Sequence, residues 1–176
     1  MADAPEPDLA LADWIVLCLI CEQPAYGFVI AQLLAADGDL GRIWRVTKFR
    51  VYVAIGRLSQ LGLVNVAAHR HSSAGPPIRS LSAVTPAGRR AAGAWRLEPA
   101  AHGRDIRSEL LIKLALIDRA GADPAPLLAA QRSQLAPVAA ALDARAESAR
   151  GFDHTLALWR HETVTATMRF LDAVQA

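Results

Sequence analysis

Between residues 42 and 97 the chain has no aspartate and no glutamate, and before residue 42 it has no lysine or arginine. The first 41 residues hold seven acids, residues 42–97 hold ten cations, and residues 98–176 hold ten acids against nine cations. The formal net charge of +2 therefore conceals a polarised molecule. An acid-free cationic stretch suits a face that meets a polyanion, with a basic surface that has no partner as the alternative. It also leaves no carboxylate there to orient a general base. No Ser-His-Asp set, carboxylate pair or glycine-rich phosphate loop can be placed elsewhere, so neither enzyme activity nor a cofactor is expected.

Cysteine is almost missing. Cys18 and Cys21 are the only two, too few for the disulfide framework of a small secreted domain. Their spacing is that of a redox or zinc pair, yet they lie within the apolar run 14–21, where small core residues are the simpler reading. No basic segment precedes an apolar stretch. The run itself falls far short of the roughly 20 residues that span a bilayer, so a cytoplasmic chain without membrane contact is expected. Lysine occurs twice against 17 arginines. A hydrophobic content of 53% with 20% charged residues over 176 positions indicates a folded chain, either one domain or a small domain with an appendage.

What is present is organised around residues 46–64. Thr47 can cap a helix in which Val51, Ile55 and Leu58 recur at four- and three-residue steps and define a buried face. Lys48 and Arg50 stand at its start, and Gly62 supplies a stop before the β-branched run beginning at Leu63-Val64. A short helix that leads with cations and feeds into a strand has the form of a winged-helix recognition element, whose cationic end can enter a major groove.

The remaining elements follow in order. Asp8 can cap a helix to about Glu22, and a second helix is expected over 26–36, closed by Asp37-Gly38-Asp39. Trp44 is expected to pack under the central helix. Two strands, 63–70 and 78–84, flank Ser72-Ser73-Ala74-Gly75-Pro76-Pro77 as a hairpin with a long tip, and Thr85-Pro86 opens a helix to about Leu97. Residues 98–104 read as a linker. Beyond it a helix over 105–119 carries Ile106, Leu110, Lys113, Leu114 and Ile117 on one side. Asp123-Pro124 opens another towards Arg150, which Pro137 should kink or split and Gly151 should end. Asp153 can cap a last helix with the near-heptad stripe Phe152, Leu156, Trp159, Thr163, Thr167, Phe170 and Val174.

The fold class expected is mostly α with a small β-hairpin: an N-terminal winged helix-turn-helix DNA-binding domain over 1–97 and a C-terminal helical dimerisation domain over 104–176. Thr47, Lys48 and Arg50 are expected to meet DNA at the start of the helix that Thr47 caps, Lys48 and Arg50 reading or positioning the groove, while Arg70 and Arg79 on the wing hold phosphate. Leu156, Trp159, Thr163, Thr167, Phe170 and Val174 are expected to meet a second copy. His69 and His71 lack a nearby third ligand and make a poor zinc site, and His154 and His161 are two turns apart; no metal site is expected.

Pro24-Ala25-Tyr26-Gly27 is similar to the Pro-x-Tyr/His-Gly-Tyr turn of the PadR family of bacterial transcriptional regulators. Val51-Tyr52-Val53-Ala54-Ile55-Gly56-Arg57-Leu58 running to Gly62-Leu63-Val64 resembles that family's Leu-Tyr-Pro-Ala-Leu-x-Arg-Leu-Glu-x-x-Gly-Leu-Val. Thr85-x-x-Gly88, Trp95 and the segment from Arg107 to Leu116 extend the likeness to the subgroup with a C-terminal helical domain. The chain lacks the proline after Tyr52, has Ser59 where glutamate is usual, and has no aromatic just before Thr85. The resemblance implies a homodimer that binds double-stranded operator DNA through paired winged helices, usually repressing and often released by a small-molecule effector. It also implies that Tyr52 reaches a phosphate through its hydroxyl, with packing under the wing as the alternative. A winged-helix protein–protein adaptor that turns its basic face to an acidic partner is the competing function.

Overall fold

The computed structural model describes residues 8–69 and 79–175; the tip of the wing, with Arg70, lies outside the described residues. Two compact units form, Met1–Arg96 and Leu97–Ala176. The fold is mostly helical with one small antiparallel sheet, as the periodicities indicate.

In the first unit, helix α1 (Leu11–Glu22) is buried almost all round, with Ile15, Val16, Leu17, Cys18, Leu19 and Ile20 in the core. A helix apolar on every side belongs at the centre of its unit. It starts later than expected, because Asp13 rather than Asp8 caps it: the Ala10 N–H donates to Asp13 Oδ2 at 3.1 Å. The Trp14 and Trp95 rings stack at 5.4 Å, which ties α1 to α4 (Pro86–Leu97). Trp44 does not pack under the central helix; it is 40% exposed. The reason is backbone pairing of its segment, Leu40 N–H to Leu33 O and Val46 N–H to Leu34 O, which turns Leu40 and Val46 inward instead.

The second helix is shorter than its pattern suggested. Ala25–Tyr26 form a strand, β1, and helix α2 covers only Gly27–Leu33. Pro24 holds the residues around it extended, and the open edge of strand β3 (Arg79–Val84) accepts them, pairing Ala25 with Ser82 and Tyr26 with Leu81. Strand β2 (Val64–His69) pairs on the other edge of β3, giving the order β1-β3-β2.

Helix α3 (Lys48–Gln60) begins as the sequence indicates: the Arg50 N–H donates to Thr47 Oγ1 at 3.4 Å, and Val51, Ala54, Ile55 and Leu58 are buried. Gly62 ends it with φ +68°, the left-handed turn that a side chain would strain. From there Thr85 joins three elements. Its hydroxyl donates to Gly62 O at 2.8 Å and accepts from the Gly88 N–H at 3.1 Å, so it caps α4 and pins the end of α3 together.

The second unit is helical. A 3₁₀ turn (Gly103–Asp105) and a π turn (Ile106–Leu110) lead into α5 (Leu111–Arg119), followed by α6 (Ala125–Ser148) and α7 (Gly151–Gln175). Asp123 caps α6 through the Ala125 N–H at 2.9 Å. Helix α6 runs on through Pro137 without splitting, since the proline sits exposed and forfeits only one backbone donor. Gly151 does not end α6, which stops at Ser148. It opens α7 with φ +60°, and Asp153 falls inside the first turn. The core joins Leu127, Leu128 and Leu135 of α6 to Val164 and Leu171 of α7, with Ile106, Leu110 and Ile117. Residues 98–104, read as a linker, are held to this core. The Ala100 N–H donates to Gln131 Oε1 at 2.7 Å, and Gln131 Nε2 returns a bond to Ala100 O at 3.2 Å. Lys113, wholly buried, donates to Glu98 O at 2.8 Å and Glu109 Oε1 at 2.6 Å.

Gly88 is a tight junction of the first unit: a Cβ there would lie 2.1 Å from Leu63 O and 3.0 Å from Val84 Cγ2. Both neighbours belong to the wing's frame, and the nearer is backbone. Gly88→Ala should cost about 1–3 kcal/mol, read as an earlier urea or thermal transition. An unchanged midpoint would mean that α4 is not in contact with Leu63 and Val84.

Candidate nucleic-acid interface

Helix α3 divides into rows. Opposite the buried residues, the spacing of four, three and four places Phe49, Val53, Gly56 and Gln60 along the outermost line, and all four are exposed. Lys48, Tyr52 and Ser59 run along one flank, Arg50 and Arg57 along the other. The first N–H groups of the helix lack partners one turn back, so its start also carries partial positive charge.

The two arginines share one carboxylate. Asp13 is fully buried in α1, and its Oδ2 lies 3.3 Å from Arg57 Nη1 while its Oδ1 lies 3.7 Å from Arg50 Nη2. Arg57 also donates to Asp8 O. Both arginine side chains remain 43% exposed, so each has one edge towards Asp13 and the rest towards solvent. A buried carboxylate needs such partners, since an unpaired charge there would be strongly destabilising. The consequence is that Arg50 stands on the flank of α3, leaning back to α1, and does not lie on its outermost line.

On the other flank Lys48 is exposed and Tyr52 half-exposed. The Tyr52 ring abuts the start of α2, where a Cβ on Gly27 would come within 2.9 Å of it. With Tyr26, Ile55, Ser59, Val66 and Ser80 these two line a notch of about 820 Å³ between α3 and the sheet. Lysine, phenol and serine hydroxyls around an open notch can all bond phosphate oxygens. Thr47 is spent on the helix cap. Arg79 opens β3 opposite His69, and Arg70 falls outside the described residues. Arg42 and Arg45 are exposed on the segment leading into α3.

Two features were not picked out from the sequence. Phe49 is 75% exposed, the most exposed large apolar side chain of the first unit. The signal existed, because Phe49 falls opposite Val51 and Leu58 on a helical wheel. Gly56, in the middle of the same row, has no atom within 4 Å of where a Cβ would sit. No internal packing asks for glycine there, and it weakens the helix by about 0.5–1 kcal/mol relative to alanine.

Among the described residues no group of three or more His, Cys, Asp or Glu could hold a metal ion, and no helix is long and apolar enough to cross a membrane. Burial pushes the Cys21 thiol up from its ordinary value, against the opposing pull of Arg89 and Arg96, so it stays protonated at neutral pH. That suits a packing role.

In the second unit, α7 turns Ala157, Val164 and Leu171 inward and leaves a different line outside. Trp159 is 70% exposed, Thr163 and Val174 are exposed, Phe170 is just exposed, and Leu156 and Thr167 are half-buried. Thr163 and Thr167 donate their hydroxyls back to Trp159 O and Thr163 O at 2.8 and 2.9 Å, which leaves the methyls facing out. With Ile106 and Leu111, four of them, Trp159, Thr163, Thr167 and Phe170, line an apolar groove of about 630 Å³.

No model of a known protein family and no curated protein matches the chain. Solved structures do match it over nearly its whole length. Bacillus subtilis PadR in complex with operator DNA is 16% identical, with a TM-score of 0.49 over 94% of this chain and 97% of that one. Smu.1604c from Streptococcus mutans UA159 is 13% identical, with a TM-score of 0.46 over 93% and 97%. Bacillus subtilis PadR in complex with p-coumaric acid is 14% identical, with a TM-score of 0.43 over 98% and 96%.

Removing Arg57 would leave Asp13 facing only the more distant Arg50. Arg57→Ala should lower stability by about 1–3 kcal/mol, less than a fully buried pair because Arg57 is partly solvated. Arg90→Ala, exposed on α4, should stay within about 0.5 kcal/mol. Urea unfolding of the two variants side by side checks this. Equal midpoints would show that the Asp13 pair contributes nothing.

Proposed function

We propose that this chain is a PadR-type transcriptional regulator: a cytoplasmic homodimer that binds double-stranded operator DNA through its winged unit, represses, and is released by a small-molecule effector. The observation that carries this reading is the folding of an acid-free segment with ten cations around a helix whose first turn is exposed. Charge of one sign around an open helix start attracts phosphate and orients the helix for a major groove. Lys48 and Tyr52, on the rim of the notch, take backbone phosphate in this reading, as do Arg70 and Arg79 of the wing. Arg50 reaches a base or a phosphate with the edge that Asp13 leaves open.

Dimerisation is assigned to the outer line of α7, from Leu156 through Trp159, Thr163, Thr167 and Phe170 to Val174. The inward row already satisfies the unit's own core, so this second apolar row has no use within one copy. The groove beside Trp159 is apolar, rimmed by Arg107, Glu162 and Arg169, and has room for a small aromatic effector. No catalytic step is part of this reading.

A charge placed on the outer line of α7 tests the assembly. Full-length wild type should scatter light as a dimer and bind the gene's own upstream duplex about a thousandfold or more tighter than a scrambled one. Trp159→Glu should scatter as a monomer, keep its circular dichroism, and lose at least tenfold in affinity for the upstream duplex. A variant that remains a tight dimer would move the interface elsewhere. Equal wild-type affinity for both duplexes would remove sequence-specific recognition and favour an adaptor.

A further inference from the structure

The outermost line of α3 is apolar where a DNA-reading helix would touch the groove floor. Phe49 and Val53 are one turn apart and both exposed, and Gly56 follows one turn later with open space around it. The nearest guanidinium, on Arg50, is drawn aside to Asp13. An exposed phenylalanine between Lys48 and Arg50, within a segment that carries no acid of its own, does not suit an empty solvent face. It suits a polyanion that carries an apolar group. Duplex DNA offers one such group on the major-groove floor, the C5-methyl of thymine.

We propose that Phe49 and Val53 read thymine methyl groups, and that Gly56 lets the α3 backbone come close enough for them to do so. This rests on the DNA-binding reading above. Phe49, at the helix start, reaches deepest and packs on one methyl, and Val53 covers the next. Specificity at those base pairs is then apolar, where charge alone would lead one to expect arginine on guanine. A side chain at Gly56 would act as a spacer between helix and groove.

The test uses the full chain and its own upstream duplex, made once with thymine and once with deoxyuridine throughout. The exchange removes the methyls and keeps every phosphate and every hydrogen-bonding edge. Wild type should bind the deoxyuridine duplex about fourfold more weakly for each methyl buried, hence about 4–16-fold for one or two contacts in each half-site, and about 16–250-fold for a dimer that fills both. Phe49→Ala, a surface change that leaves the melting temperature in place, should keep only the part of this difference that Val53 reads, and Phe49→Ala/Val53→Ala should bind the two duplexes with nearly equal affinity. Gly56→Ala should raise the melting temperature and yet bind the thymine duplex at least fivefold more weakly. If wild type binds both duplexes equally while preferring them to a scrambled sequence, the methyl reading is wrong and the DNA-binding reading stands. Unchanged affinity in Gly56→Ala would take the row off the groove floor. If no duplex is bound at all, both readings fall, and the Phe49–Val53 row is a docking face for a protein.

Discussion

The winged unit depends on one buried carboxylate. Asp13 lies in the most apolar helix of the unit, with no exposed surface, and accepts from the Ala10 N–H and from Arg57. It therefore does three things: it starts α1, clamps α1 to α3, and sets the lean of Arg50. Placing an anion there is tolerable only because α3 supplies two guanidinium groups beside it. The division of charge along the chain follows from this arrangement. The acidic first segment contributes the anchor, and the cationic second segment contributes both its partners and the surface left over for a ligand.

Much of the fold could be read locally. The Thr47 cap, the Gly62 stop and the Thr85-Pro86 opening of α4 each rest on local contacts or local backbone, the buried row of α3 shows in its own three- and four-residue spacing, and each is present. Features that depend on distant partners could not be read. Asp13 and Arg57 are 44 residues apart, and Ala100 and Gln131 are 31 apart, so neither the clamp nor the docking of 98–104 leaves a trace in periodicity. Strand β1 has two residues, too few for any alternation, and exists because β3 has an open edge.

The exposed face of α3 was legible in place, but its outermost row was not singled out. Charge singled out Lys48 and Arg50, and helical geometry puts Phe49, Val53 and Gly56 on the exposed line between their two flanks. The outer face follows directly from the buried one, which the sequence displays plainly. What it could not display is that a carboxylate on another helix pulls Arg50 aside. In the second unit the same logic separates two apolar rows on α7, one closing the core and one left outside, where the sequence shows only a single mixed stripe.

That the cationic winged unit meets duplex DNA through phosphate is tested most directly by the salt dependence of binding. A dimer touching about 6–10 phosphates releases as many counterions, so log K against log salt should fall with a slope of about −5 to −9. Titrating the full chain against its upstream duplex from low to moderate salt gives that slope. A steep line within this range is the predicted result, and a flat one would contradict the account.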